Sequence, residues 1–456
     1  MTTLLFAATA RAESPLSLET VLQSVARTHP GLEAAQRKVE SAEGKQFAAR
    51  GGFDPTFTIR GKWNPVGYYD NGQVDTLVRQ ATPVWGVGLY AGYRVGWGSY
   101  PVYKGDLQTL SGGEVRAGID VPVWRNGPID ARRAKIRQTR IRSEGARRTR
   151  DATALGLELR ATKAYWSWAA AGLRLQVARE LLAIAQQRDT GLAEQAAAGA
   201  IEPIKRVDSR RLVLDRKAKV VAAQRKFNEA TLALSLFLRD AKGNPIQPGE
   251  GRVPAAIAEP TPIDTVPIDQ EVTEAIARRP DVAALLAKRS VTEVGVKLAR
   301  NQRAPAVNVQ SFVARDFGNG PAELGPTEWG VGVVVEMPLP LRAARGQYRA
   351  AKADLRTVDA EVRGLRDAIG AEVRASLVAV RAAEQTVVLA RQQVLAANEL
   401  AEAERERLTE GASELVIVNL RELAAADAAT QEIDALADFQ RARADFLVST
   451  GRSPQP

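Results

Sequence analysis

Two kinds of hydrophobic spacing recur along the chain. The first has a period of two. From Thr56 to Trp63, Phe57, Ile59 and Trp63 fall on one side and Thr56, Thr58, Arg60 and Lys62 on the other. Val115, Ala117, Ile119, Val121 and Val123 alternate with Glu114, Arg116, Gly118 and Asp120. Further along, Val307, Val309 and Val313 alternate with Asn308 and Gln310, and Trp329, Val331, Val333, Val335 and Met337 with Gly330, Gly332 and Glu336. The alternation predicts four strands. Apolar outside and polar inside over about ten residues is what a membrane β-barrel requires, and a half-buried soluble sheet gives the same pattern. Trp85 to Trp97 alternates as well, with Trp85, Val87, Leu89, Ala91, Tyr93, Val95 and Trp97 opposite Gly86, Gly88, Gly92 and Gly96. Residues 66–112 are thus either added barrel strands or an extracellular flap.

The second spacing has a period of seven. Trp168, Leu175 and Leu182 run beside Ala164, Ala171, Ala178 and Ala185. Val373, Val380, Val387, Val394, Ala401 and Leu408 run beside Ala383, Ala390 and Ala397, and a returning helix carries Val220, Phe227 and Leu234. Such heptads predict left-handed coiled-coil packing, with the alanines permitting close approach. Residues 128–199 and 345–411 contain no interior proline, so each can form a helix of about 100 Å. Gly199 and Gly411 mark the reversals. Shorter helices open each half. Leu18, Leu22 and Val25 form a stripe with Ser17 as cap, and His29-Pro30 ends it.

The landmarks repeat in order. His29-Pro30-Gly31-Leu32 lies over Arg279-Pro280-Asp281-Val282, and Asp54-Pro55 over Ala304-Pro305, both at an offset of 250. Asp120-Val121-Pro122-Val123 lies over Glu336-Met337-Pro338-Leu339 at 216, and Gly199-Ala200-Ile201-Glu202 over Gly411-Ala412-Ser413-Glu414 at 212. A tandem repeat follows, with 34 extra residues in the first copy. The expected division is a secretory-signal remnant (1–12), a first repeat (13–240), a proline-rich linker (241–267), a second repeat (268–451) and a tail (452–456). Ala10-Arg11-Ala12 fits a signal-cleavage site.

Composition narrows the function. The chain has no Cys and one His, which excludes disulfides, thiolate metal sites, a cysteine nucleophile and multi-His metal centres. No triad or phosphate loop is present, so no cofactor, metal or enzymatic activity is expected. No apolar run is long enough for a transmembrane helix. Net charge is +10, with ten Lys and Arg between Arg125 and Arg150 but no nucleic-acid-binding motif. That stretch reads as a solvated helix face or a contact for anionic lipid headgroups. Of the 10 Phe, 7 Trp and 8 Tyr, twelve lie between Phe53 and Trp124. Trp63, Trp85, Trp97, Trp124 and Trp329 fall near strand ends, where a barrel carries its interfacial girdle.

Four strands, or six with the Trp85 region, cannot close a barrel alone, and lipid does not tolerate open sheet edges. The expectation is a barrel shared among copies, continued by a cylinder of helical hairpins. In this arrangement the chain resembles the TolC-type outer-membrane efflux family. The resemblance rests on the paired helix openings, the turns at Pro122-Val123 and Pro338-Leu339, and the hairpin tips starting at Gly199 and Gly411. It implies a trimeric outer-membrane β-barrel, a periplasmic α-helical tunnel, and tips that dock on a periplasmic adaptor and an inner-membrane transporter. It also implies export without catalysis, in a Gram-negative outer membrane. For the constriction or adaptor contact the resemblance points to Gly199, Glu202, Lys205, Asp208, Arg210, Gly411, Glu414, Asn419, Arg421 and Glu422. The family often has an acidic residue six positions after the tip glycine; here Lys205 and Ile417 stand there. The competing reading is a coiled-coil envelope protein without a pore.

Overall fold

The computed structural model describes residues 14–261 and 267–454. The expected signal remnant lies outside the described residues. Each half opens with two helices. α1 (Leu18–Thr28) starts at Ser17, whose hydroxyl accepts the Thr20 N–H at 3.2 Å. It stops at His29, because Pro30 forces the residue before it into extended backbone. His29 Nδ1 accepts the Gly31 N–H at 3.0 Å, and its ring stacks on Phe237 at 5.8 Å. Burial, then the charges of Arg239 and Arg160, push its pKa down, which keeps Nδ1 free to accept. The lone histidine is therefore a turn residue.

α2 (Pro30–Arg50) leads to β1 (Thr56–Asn64), β2 (Asn71–Ala81), β3 (Gly88–Gly98) and β4 (Glu114–Pro122). The long α3 (Ala131–Ala197) and the returning α4 (Pro203–Ser235) follow. The second half repeats this order with α5 (Ile268–Arg278), α6 (Pro280–Asn301), β5 (Ala306–Asp316), β6 (Glu328–Glu336), α7 (Arg342–Thr409) and α8 (Leu415–Ser449). The six strands form one antiparallel sheet in sequence order. The four strands read from alternation are all present. Residues 66–112 add two more, β2 and β3, rather than a detached flap. The Trp85 strand starts later than its alternation indicated. Trp85 itself sits in a turn with φ of 51°, and pairing begins at Gly88.

The chain divides into two compact units. One holds residues 1–36, 149–282 and 365–456 and is helical. Its core is the heptad seam. Trp168, Leu175, Leu234, Val373, Val380, Val387, Phe439 and Phe446 are fully buried or nearly so. The proline-rich segment packs onto this core through Val253 and Ile257, and Gln440 Nε2 donates to the Ala258 carbonyl at 3.0 Å. Tyr165 donates its hydroxyl to the Leu16 carbonyl at 2.8 Å, and burial pushes its pKa up to about 12.

The other unit, residues 37–148 and 283–364, holds the sheet. After β4 the chain turns at Asn126, in left-handed backbone with φ of 70°. Asn126 N–H donates to Asn301 Oδ1 at 2.8 Å, and Asn301 Nδ2 donates to the Trp124 carbonyl at 3.1 Å. Arg133 then caps the turn by donating to the Asn126 and Gly127 carbonyls. No helix among the described residues is long and apolar enough to cross a membrane.

Candidate functional site

Period-two alternation fixes what each face of the sheet shows. Phe57, Val78, Ala91, Ala117, Val313 and Trp329 line up in one register row. Their face is apolar and uncovered: Phe57, Ile59, Val331, Val333 and Val335 are all more than 60% exposed. On the opposite face Arg60, Asp75, Arg94, Glu114 and Asp316 share another row. Arg94 pairs with Glu114 at 2.5 Å and Arg116 with Asp75 at 2.6 Å. A sheet with an exposed apolar face and an ion-paired opposite face inverts the usual arrangement of a soluble protein.

The five tryptophans lie at the two ends of this sheet. Trp63, Trp97 and Trp329 are at the end carrying the β1–β2, β3–β4 and β5–β6 connections. Trp85 and Trp124 are at the end where strands meet helices. All five are exposed. Gly72 sits between Trp63 and Trp97 in register, and a Cβ there would strike the Trp97 ring. The β3–β4 connection folds over the charged face. Gly96 N–H donates to Thr109 Oγ1 at 3.0 Å and Leu110 N–H to Asp316 Oδ1 at 3.0 Å.

In the helical unit, both hairpins reverse through the same motif. After α3, Ala200 N–H donates to the Gln195 carbonyl and Gly199 N–H to that of Ala196. After α7, Ala412 donates to Arg407 and Gly411 to Leu408. These are paired Schellman caps, with the glycines at φ of 73° and 77°. Glu202 and Glu414 follow as N-caps of α4 and α8 without side-chain caps.

Beside the tips lies a buried ionic cluster. Glu422 on α8 is 5% exposed. Arg188 on α3 donates two hydrogen bonds to it, both 2.9 Å, and a third to Asn419 Oδ1 at 2.5 Å. Arg405 on α7 donates from Nε to Glu422 at 2.9 Å. Burial alone would push the Glu422 carboxyl up, but the two guanidiniums outweigh it and hold its pKa below the usual range. A second buried acid, Glu404, accepts from Ser413 Oγ in the α7–α8 turn. The hairpins are thus tied to each other within one chain.

Of the residues singled out from sequence, Asn419 and Glu422 enter this cluster and Gly199, Gly411, Glu202 and Glu414 form the turns. Arg421 is half-buried beside it with Nε unpartnered. Lys205, Asp208 and Arg210 are elsewhere, exposed on α4, where Asp208 pairs with Arg211. Sequence reading missed Arg188 and Arg405, which lie on helices whose register only packing defines. It also missed the exposed apolar residues Ile204, Val207 and Leu214 on α4 and Val416 and Leu420 on α8.

Residues 272–452 match the family described as outer membrane efflux protein. No curated protein matches the chain significantly in sequence. Solved structures match it in fold. A membrane protein from Pseudomonas aeruginosa is 16% identical, with 95% of this chain and 92% of that one covered and a TM-score of 0.67. The outer membrane protein VceC from Vibrio cholerae is 16% identical, with 96% and 97% covered and a TM-score of 0.66. The open state of the MtrE outer membrane channel from Neisseria gonorrhoeae is 15% identical, with 96% and 89% covered and a TM-score of 0.66. The resemblance to TolC-type outer-membrane efflux proteins therefore holds in sequence over the second half and in fold over nearly the whole chain.

Proposed function

We propose that this chain, an outer membrane efflux protein by the sequence of its second half and by its fold, is the outer-membrane exit duct of a tripartite efflux or type I secretion system. The observation that carries the reading is the sheet. It has an exposed apolar face, an ion-paired opposite face and two unpaired edges, β1 and β6. Open edges are not tolerated in lipid, so β6 of one copy pairs with β1 of the next. Three copies close a barrel with the apolar face toward lipid and the charged face toward the lumen. The tryptophans at the two strand ends then sit at the two membrane interfaces.

The helical hairpins extend into the periplasm. Their exposed apolar tips (Ile204, Val207, Val416, Leu420) present surface to a periplasmic adaptor, which couples the duct to an inner-membrane transporter. The chain supplies no chemistry; the transporter supplies the energy. Opening is a splaying of the tips, with the Arg188–Glu422–Arg405 cluster as a latch between two packings of the hairpins.

Cross-linking across the proposed seam tests this. The chain has no Cys, so single cysteines placed in β1 and β6 have no background. Residues of these two strands do not pair within one sheet. A scan of Ile59 against Val331, Val333 and Val335 should yield linked dimers and trimers in intact cells. Monomer alone at every pairing would overturn the shared barrel.

A further inference from the structure

The positive charge is unevenly placed. The sheet unit, residues 37–148 and 283–364, holds 31 Lys and Arg against 18 Asp and Glu, so it carries more than the whole chain's +10. The helical unit is slightly acidic. Part of that excess lines a groove of about 610 Å³ between α2 and the start of α3. Its floor is small and apolar: Ala42, Ala48, Ala49, Gly52 and Ala131. Its rim carries Lys45, Arg132, Lys135 and Arg142. The spacing puts them there, since Arg132, Lys135, Thr139 and Arg142 share one face of α3, and Ala42, Lys45 and Ala49 one face of α2, with Gly52 in the turn just after it.

None of the four cations has an ion pair among the described residues. The neighbouring acids are taken: Asp130 pairs with Arg133 at 3.0 Å and Glu43 with Arg147 at 2.7 Å. Exposed, unneutralised like charges converging on an apolar floor repel one another, and a bound anion relieves that repulsion. The groove's place relative to the sheet is also given. It shares Ala131 and Arg132 with a second groove, which runs along Arg79, Tyr90, Asp120, Asn308 and Gln310 on the charged face of the sheet. The first groove therefore adjoins the charged face of the sheet at those two residues.

We infer that this groove binds organic anions with an apolar body, with the carboxylate or sulfonate on Arg132 and Lys135 and the body on the alanine floor. The volume suits a drug-sized molecule. The inference rests on the duct reading, in which the charged face lines the lumen. Three such grooves then ring the exit path below the barrel and make the conduit prefer anions. The cargo class is amphiphilic organic anions.

Planar bilayers containing the purified full chain test this. In a potassium chloride gradient at about 0.1 M salt the wild type should reverse on the chloride side of zero. The preference should fade near 1 M, where the screening length falls to about 3 Å. Added 8-anilinonaphthalene-1-sulfonate should reduce the current. R132E/K135E should move the reversal potential toward that of potassium and abolish the block. The milder K45Q/R142Q should shift it part of the way, and both variants lose no ion pair on substitution. A conducting pore that favours potassium, or one whose selectivity and block survive both variants, overturns the anion groove and leaves the duct standing. Absence of any conductance in both the wild type and Arg188→Ala, whose latch is broken, overturns both.

Discussion

Arg188 on α3 and Glu422 on α8 form a two-pronged ion pair, both contacts 2.9 Å, with the carboxylate almost wholly removed from solvent. It lies eleven residues from each tip glycine and ties the two hairpins of one chain together. Removing one partner of a buried pair typically costs about 3–5 kcal/mol, because the other charge is left behind. Arg405 remains beside Glu422 and limits the loss.

Arg188→Ala should therefore loosen the tips while leaving the barrel intact. Bilayer recordings should show more frequent or larger openings than the wild type, and limited proteolysis should cut near residues 199 and 411 sooner. Identical recordings and identical cleavage would remove the pair from any role in gating.

Acid should act on the same tie. The Glu422 carboxyl is held below its ordinary value of 4.5, so its contribution is complete above that value and is lost as pH falls through the depressed one. Tip protection against protease should hold from neutral pH down to about 4.5 and decline below it. In Glu422→Gln the decline should disappear, with protection low throughout.

The lipid face should reject charge. Val333 is 62% exposed in the single chain and faces the apolar side. Val333→Arg should cost about 2–4 kcal/mol in a bilayer and reduce the assembled, heat-resistant form. Gln310→Lys, on the charged face of the neighbouring strand β5, should assemble normally. Equal effects of the two would remove the distinction between lipid and lumen faces.

The tips need their glycines for backbone reasons alone. A Cβ at Gly199 or Gly411 would meet nothing within 4 Å, yet both residues have φ above 70°. Gly199→Ala and Gly411→Ala should each cost about 1–2 kcal/mol. The change would register as a lower thermal midpoint of the helical region by circular dichroism, with assembly retained.

Much of this was legible in the sequence because periodicity is a direct image of which side chains share a face. Phe57, Ile59 and Trp63 alternate since one face of β1 is apolar, and Trp168 and Leu175 are seven apart since they share a seam. The tip glycines were legible since only glycine takes that backbone conformation readily. β2 was not read as a strand. Val74, Thr76 and Val78 do face the apolar side, but Leu77 faces the charged side and is buried there, which blurs the alternation. Trp85 continued the β3 pattern by parity alone, and its positive φ has no signature beyond the glycine that follows. The partners of Glu422 were invisible. Arg188 is 234 residues away, and one arginine among many on a basic helix carries no mark of its contacts.

The central claim is a barrel built from several copies. Outer membranes of expressing cells, extracted in mild detergent, would be compared unheated and boiled by gel and by native mass. The account predicts a trimer in detergent that collapses on boiling to a single chain of 49.2 kDa. A chain recovered without detergent as a soluble monomer or dimer would contradict it.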